Sequence, residues 1–269
     1  MAYAFIIYKL TGHYAQWQAQ GVSGPLSDQT FLIVPAVLLM PVNWILESIR
    51  WKRLTHSIQT ISLGDSLKSV LAGITIGLLT PKRIGDVGGR CLFMAPENRQ
   101  KGLVAFGMGS LLQSGVTVFF GTMALIPLMI EGTAVIQKHQ VWILMVTALL
   151  LSVILILLFS HLSLVKKWLL HIPFLKRHDH TLRYLGEGSP FHLLKLFFIG
   201  MVRYSIFASQ FFLLLKYFGV PVTLIQGLTG IGLTYFLITF MPVSSLAELG
   251  IRGSVAVFVF GLFISQTGG

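Results

Sequence analysis

Gly77-Leu-Leu-Thr-Pro-Lys-Arg-Ile-Gly-Asp-Val-Gly-Gly-Arg90 ends an apolar run with a proline, then brings an acid and two arginines against it. A second stretch, Met241-Pro-Val-Ser-Ser-Leu-Ala-Glu-Leu-Gly-Ile-Arg-Gly253, repeats the device. In a bilayer, helix-breaking backbone and ionisable side chains are costly and persist mainly where they line a cavity or a site. The two breaks therefore read as the polar interior of an all-α polytopic membrane protein.

Composition supports that reading. The chain of 269 residues is 54% hydrophobic and only 11% charged, with a mean hydropathy of +0.79. Soluble domains carry about a quarter charged residues, so the apolar surplus exceeds what one water-facing core can hide. No polar stretch reaches the ~100 residues of a typical soluble catalytic domain, and residues 1–269 read as a single membrane domain. The net charge of +11 is clustered. Arg50, Lys52 and Arg53 form one group, Lys82 to Lys101 a second, and Lys166 to Arg183 a third. Basic groups beside apolar spans mark cytoplasmic loops and favour anionic lipid headgroups. Without a basic, aromatic-interleaved soluble module, they do not point to nucleic acid. The single Cys91 excludes an internal disulfide.

Spanning about 30 Å takes roughly 20 apolar residues. Thr30–Ser48, Leu103–Ile130, Val141–Ser160 and Phe191–Phe218 meet that length, and Val222–Met241 and Ile251–Ile264 flank the second break. The expectation is about 6–8 transmembrane helices, counting one or two re-entrant half-helices. Ser66–Thr80 is too short to cross comfortably. The basic groups on either side of it share the cytoplasmic face only if it enters and returns, as a half-helix ending near Pro81. The alternative is a short tilted helix. Gly73 and Gly77 give this segment a small face for close packing. A half-helix at Val222–Met241, breaking at Pro242, would make the two breaks an inverted repeat. In the loop after residue 160, Leu162, Val165, Trp168, Leu169 and Ile172 fall at helical spacing, as in an interfacial helix or a plain linker helix.

Four sets of charged residues near membrane depth carry the chemistry. Arg203 stands midway along Phe191–Phe218, where an unpartnered arginine costs about 2.5–3.5 kcal/mol. It reads either as a phosphate ligand, through its bidentate fork, or as half of a packing ion pair with Glu47, Asp86 or Glu248. Helical continuation after Pro81 places Arg83, Asp86 and Arg90 on one face, and Glu248 and Arg252 are likewise four apart. Glu47 and Arg50 lie three apart at a helix end, flanked by Trp44 and Trp51 in the positions of an aromatic belt. His178-Asp-His180 lacks further ligands at useful spacing, so neither metal nor cofactor is expected. No Walker loop, nucleophile elbow or spaced Ser-His-Asp set is present.

At these residues the chain resembles the lysylphosphatidylglycerol synthase transmembrane region, a flippase-type membrane domain. Residues 77–90 match the family pattern of Gly, Thr-Pro, Arg, Gly-Glu and Arg, and Pro242 to Arg252 the second, Gly-Arg-bearing motif. Asn43 to Arg53 is similar to the early helix. Asp86 departs from the usual glutamate, and Gly253 stands where a second acid often follows. The resemblance implies a bacterial or archaeal multi-pass protein of the cytoplasmic membrane that presents or flips lipids. Lysine transfer is not implied, because that belongs to a fused soluble synthase.

The leading expectation is translocation of an anionic or aminoacylated lipid. Arg83, Arg90, Arg203 and Arg252 would contact the headgroup, oriented by Asp86, Glu248 and Glu47. Thr80, Pro81, Gly85, Pro242 and Gly250 would form the breaks or hinges. Membrane phospholipids or a lipid-linked substrate would be the partners, with homo-oligomers open. Family members run longer, so a helix at either end is expected to lie outside this sequence. The rivals are a membrane-embedded lipid or glycan transferase and a non-catalytic membrane subunit.

Overall fold

The computed structural model describes residues 27–80, 84–131, 190–239 and 245–264, with scattered positions between 139 and 150. Every regular element among the described residues is helical. A 3₁₀ turn, Ser27–Leu32, leads into α1, Ile33–Thr55. Next come α2, Leu63–Leu79, and α3, Ile84–Cys91. A second 3₁₀ turn, Pro96–Asn98, opens α4, Arg99–Glu131. The remaining helices are α5, Pro190–Tyr217; α6, Leu224–Thr239; and α7, Ser245–Ile264.

Among the described residues, three helical stretches are long and apolar enough to cross a membrane: Thr30–Thr55, Pro96–Leu128 and Phe191–Tyr217. Only 17% of the most apolar window of the first and 22% of that of the third is buried. Phe31, Val37, Leu38, Phe198 and Val202 point outward. Water would not tolerate so continuous an apolar exterior, but lipid does. The expected all-α membrane architecture is therefore found.

The α2–α3 hairpin follows from its sequence. Ser62 caps α2, its hydroxyl oxygen accepting from the Asp65 amide at 3.0 Å and donating to the Asp65 carboxylate at 2.7 Å. That bond holds the Asp65 carboxyl below the usual carboxylate range. At the other end Thr80 is extended, with φ −110° and ψ 141°, the conformation that a following proline demands. Its hydroxyl accepts from the Gly85 amide at 2.7 Å and clamps the start of α3 to the end of α2. The two helices then run antiparallel: Gly85 lies against Ile76, Gly89 against Ala72 and Gly73, and the Ser69 hydroxyl donates to the Arg90 carbonyl at 3.0 Å. A Cβ on Gly89 would come within 2.7 Å of the Gly73 Cα, so glycine is what permits this approach. Arg90, next to the end of the hairpin, thus returns to the level of Ser69, in the second turn of α2.

Helices α1 and α4 pack against that hairpin, and α5, α6 and α7 are added through them. Gln210 of α5 donates to the Ala36 carbonyl at 2.8 Å, while Arg203 reaches Asn43, so α1 and α5 are antiparallel. Ser66 donates to the Ser48 carbonyl and ties α2 to α1. Gly121 of α4 faces Phe236 of α6, and Gly232 faces Ala124 and Phe120, so that pair is antiparallel as well. Val118, Leu125, Leu233, Phe236, Val255 and Val259 form a core joining α4, α6 and α7.

Two expectations need correction. Trp51 is 1% exposed and packs with Val70, Met94 and Ala105; it belongs to the interior, not to an aromatic belt, because α2 covers that face of α1. The stretch Ser-Ser-Leu-Ala-Glu does not lie wholly in a break, since α7 begins at Ser245 and runs unbroken for 20 residues. The short α3, at 8 residues, has no counterpart of equal length there. The proline breaks at Pro81 and Pro242, Val141–Ser160 for the most part, and the loop helix at 162–172 lie outside the described residues.

Candidate functional site: a buried arginine–carboxylate cluster

Glu47 is the centre. It projects from α1 and is 5% exposed, yet three guanidiniums converge on its carboxylate. Oε1 accepts from Arg90 Nη1 at 2.6 Å. Oε2 pairs with Arg203 Nη1, and lies 3.3 Å from Arg50 Nε. Three elements supply these arginines, so the carboxylate ties α1, α3 and α5 at one point.

Each arginine is held at a second place. Arg90 Nε donates to Asp86 Oδ1 at 2.7 Å, one helical turn back along α3. The Arg90 guanidinium also lies 5.6 Å from the Trp51 ring centroid and 5.2 Å from that of Phe106, a sandwich that suits a weakly hydrated cation. Arg203 Nε donates to Asn43 Oδ1 at 3.0 Å. Arg50 donates through Nη1 to Gln113 Oε1 at 2.6 Å and through Nη2 to the Gly109 carbonyl at 3.1 Å. Gln113 Oε1 accepts from Arg203 as well, at 3.3 Å. A side chain on Gly109 would meet Leu54 at 2.9 Å, so glycine exposes this carbonyl to Arg50.

The cluster faces a cavity of about 290 Å³. One wall carries Glu47, Arg50 and Trp51, another Asp86 and Arg90, and a third Arg203. Ser110, Gln113, Ser114 and Thr117 recur every three or four residues along α4 and form a polar stripe on the remaining wall. Ser110 is exposed and stands at the rim. Three guanidiniums against two carboxylates leave one formal positive charge. Donors exceed acceptors too: Arg50 Nε and Trp51 Nε1 are buried without a hydrogen-bond partner.

The structure thus brings together Glu47, Asp86, Arg90 and Arg203 from the expected set. Thr80 and Gly85 meet at the α2–α3 turn. Arg252 is not part of the cavity wall; its guanidinium lies 5.8 Å from the Tyr235 ring centroid. Gly250 sits inside continuous α7, its carbonyl accepting from Ser254 at 2.9 Å. Arg83, Pro81 and Pro242 lie outside the described residues, as does the side chain of Glu248. Sequence reasoning treated Arg50 as an anchor and passed over Asn43 and Gln113. The signals were present: Asn43, Glu47 and Arg50 fall at helical positions i, i+4 and i+7, and Gln113 is the one amide side chain within Leu103–Ile130.

Fold and site together define a multi-helix membrane protein with a cationic polar chamber among its helices. The chain belongs to the lysylphosphatidylglycerol synthase TM region family, whose pattern matches residues 24–269. That membership places it among membrane proteins of lipid handling. Neither the curated proteins nor the solved structures gave a match.

Proposed function

We propose that the protein translocates an anionic or aminoacylated phospholipid across the cytoplasmic membrane, with the cavity around Glu47 receiving the headgroup. The observation that carries this reading is the cationic excess of the chamber: three arginines against two carboxylates, with Trp51 Nε1 buried there without a hydrogen-bond partner. Guanidinium forks match phosphate oxygens bidentately, and low-dielectric surroundings strengthen that attraction. Glu47 and Asp86 keep the arginines apart and aligned, so a phosphate meets prearranged donors. An aminoacyl ammonium would find the same two carboxylates.

The α2–α3 hairpin supplies the moving part. We read it as re-entrant, entering and leaving the bilayer on one side, because α3 runs back along α2 as far as Ser69. A hairpin of this kind joins the headgroup site through Arg90 and Asp86, so a shift of the hairpin and a change of partners at Glu47 are coupled. A transferase reading finds less support, since Glu47, saturated by three arginines, is a poor general base.

Proteoliposomes reconstituted with the purified chain test the proposal. Labelled phosphatidylglycerol should change leaflets faster than labelled phosphatidylcholine, and Arg203→Ala should abolish the difference at equal reconstitution. Equal rates for both lipids, no faster than in empty vesicles, would contradict autonomous translocation.

A further inference from the structure

A second cationic feature lies apart from the Glu47 chamber. A cleft of about 500 Å³ opens where the end of α1, the start of α2 and the start of α5 meet. It is lined by Lys52, Arg53 and His56 of α1 and its C-cap, by His192 and Lys195 of α5, and by the apolar Ile49 and Leu63. No acid lines it among the described residues. The two nearest acids in sequence are both engaged elsewhere: Glu47 with Arg50, Arg90 and Arg203, and Asp65 with Ser62, 3.5 Å from Lys68.

The charge placement is unusual on α5. A helix N-terminus carries partial positive charge and favours acids in its first turn. Helix α5 has no acid there, and instead places His192 and Lys195 within its first two turns. Opposite them stand Lys52 and Arg53 at the last turn of α1. Two helices thus direct like charge into one space, an arrangement that an anion between them would relieve. The apolar side chains decide which source the anion has. Leu63 is 44% exposed and, with Ile49, gives the cleft a greasy border. The rim lies at the terminal turn of one spanning helix and the first turns of another, the depth of the membrane–water boundary.

We infer that this cleft is a docking site for the phosphate of an anionic phospholipid in the leaflet bordering the basic helix ends, separate from the transport chamber. Lys52, Arg53 and Lys195 hold the phosphate, and Ile49 and Leu63 meet the glycerol and upper acyl carbons. The lipid bound here braces α1 against α5, the two helices that present Glu47 and Arg203.

Native mass spectrometry of the full chain, released from nanodiscs of mixed phosphatidylglycerol and phosphatidylcholine, tests this. Wild type should retain phosphatidylglycerol over phosphatidylcholine. Arg53→Gln/Lys195→Gln, which removes two exposed cations, should lose one retained phosphatidylglycerol, with occupancy falling about tenfold. Should that double variant fail to fold, Arg53→Gln alone reads the same occupancy and should lower it severalfold. Unchanged retention in the variants would overturn the inference. So would release of the lipid by inorganic phosphate, which would make the cleft a site for free anions. Arg53→Gln/Lys195→Gln, which leaves every residue of the chamber in place, should keep the headgroup preference of the vesicle assay, so a failed transport proposal and a failed docking site give different results.

Discussion

At the scale of single residues, Glu47 does more than any other side chain. Removing one partner of a buried ion pair strands the other, at a cost of about 3–5 kcal/mol. Glu47→Gln strands three arginines together, so its thermal midpoint should fall by on the order of 10 °C, measured by unfolding in detergent. Asp86→Asn should cost less, about 1–3 kcal/mol, since Arg90 keeps Glu47 and the Trp51 and Phe106 rings. Equal losses in the two variants would show that Glu47 is not the hub. Arg203→Lys separates packing from recognition: the ammonium preserves charge opposite Glu47 but lacks the planar fork. It should retain most of the stability while losing headgroup preference in the vesicle assay.

At the scale of elements, the α2–α3 hairpin depends on three small or hydroxylated positions. Thr80→Val keeps the shape of the side chain but removes the oxygen that accepts from the Gly85 amide. The expected loss is about 1 kcal/mol, as for a helix cap. Gly73→Ala is more damaging. Its Cβ would lie 2.5 Å from Asp86 Oδ1 and 2.8 Å from Arg90 Cγ, forcing α3 away and disturbing the cluster at its source. The thermal midpoint of Gly73→Ala in detergent should lie below that of Thr80→Val, and the reverse order would contradict this close approach. The hairpin was largely legible in sequence because proline, threonine and glycine each impose a local rule. The start of α7 was not. Its Ser-Ser-Leu-Ala-Glu stretch looks polar enough for a break, and only packing of the following Val255 and Val259 against α4 and α6 draws it into helix.

At the scale of the whole molecule, the sequence made the membrane class and the arginine-rich interior readable, because buried charge in an apolar chain is conspicuous. Which charges meet was less readable. Glu47 and Arg203 are 156 positions apart, and no local spacing links them; the antiparallel crossing of α1 and α5 does. Trp51 was misplaced for the same reason, since aromatic belts and cores use the same residue types and only the covering helix distinguishes them. Arg252 has the charge of its fellows but lies against Tyr235, on the α6–α7 side. Arg252→Gln should therefore alter headgroup preference less than Arg203→Ala, a ranking that the vesicle assay reads directly.

The central claim is that a lipid headgroup enters the chamber around Glu47. Photolabelling with a phosphatidylglycerol analogue carrying a diazirine at its headgroup tests it most directly, with the labelled peptides mapped by mass spectrometry. The account predicts label on the α4 stripe of Ser110, Ser114 and Thr117 and on Asn43 to Trp51, strongly reduced in Arg203→Ala. Label confined to outward-facing positions such as Leu38 and Phe198, and unchanged by that substitution, would contradict it.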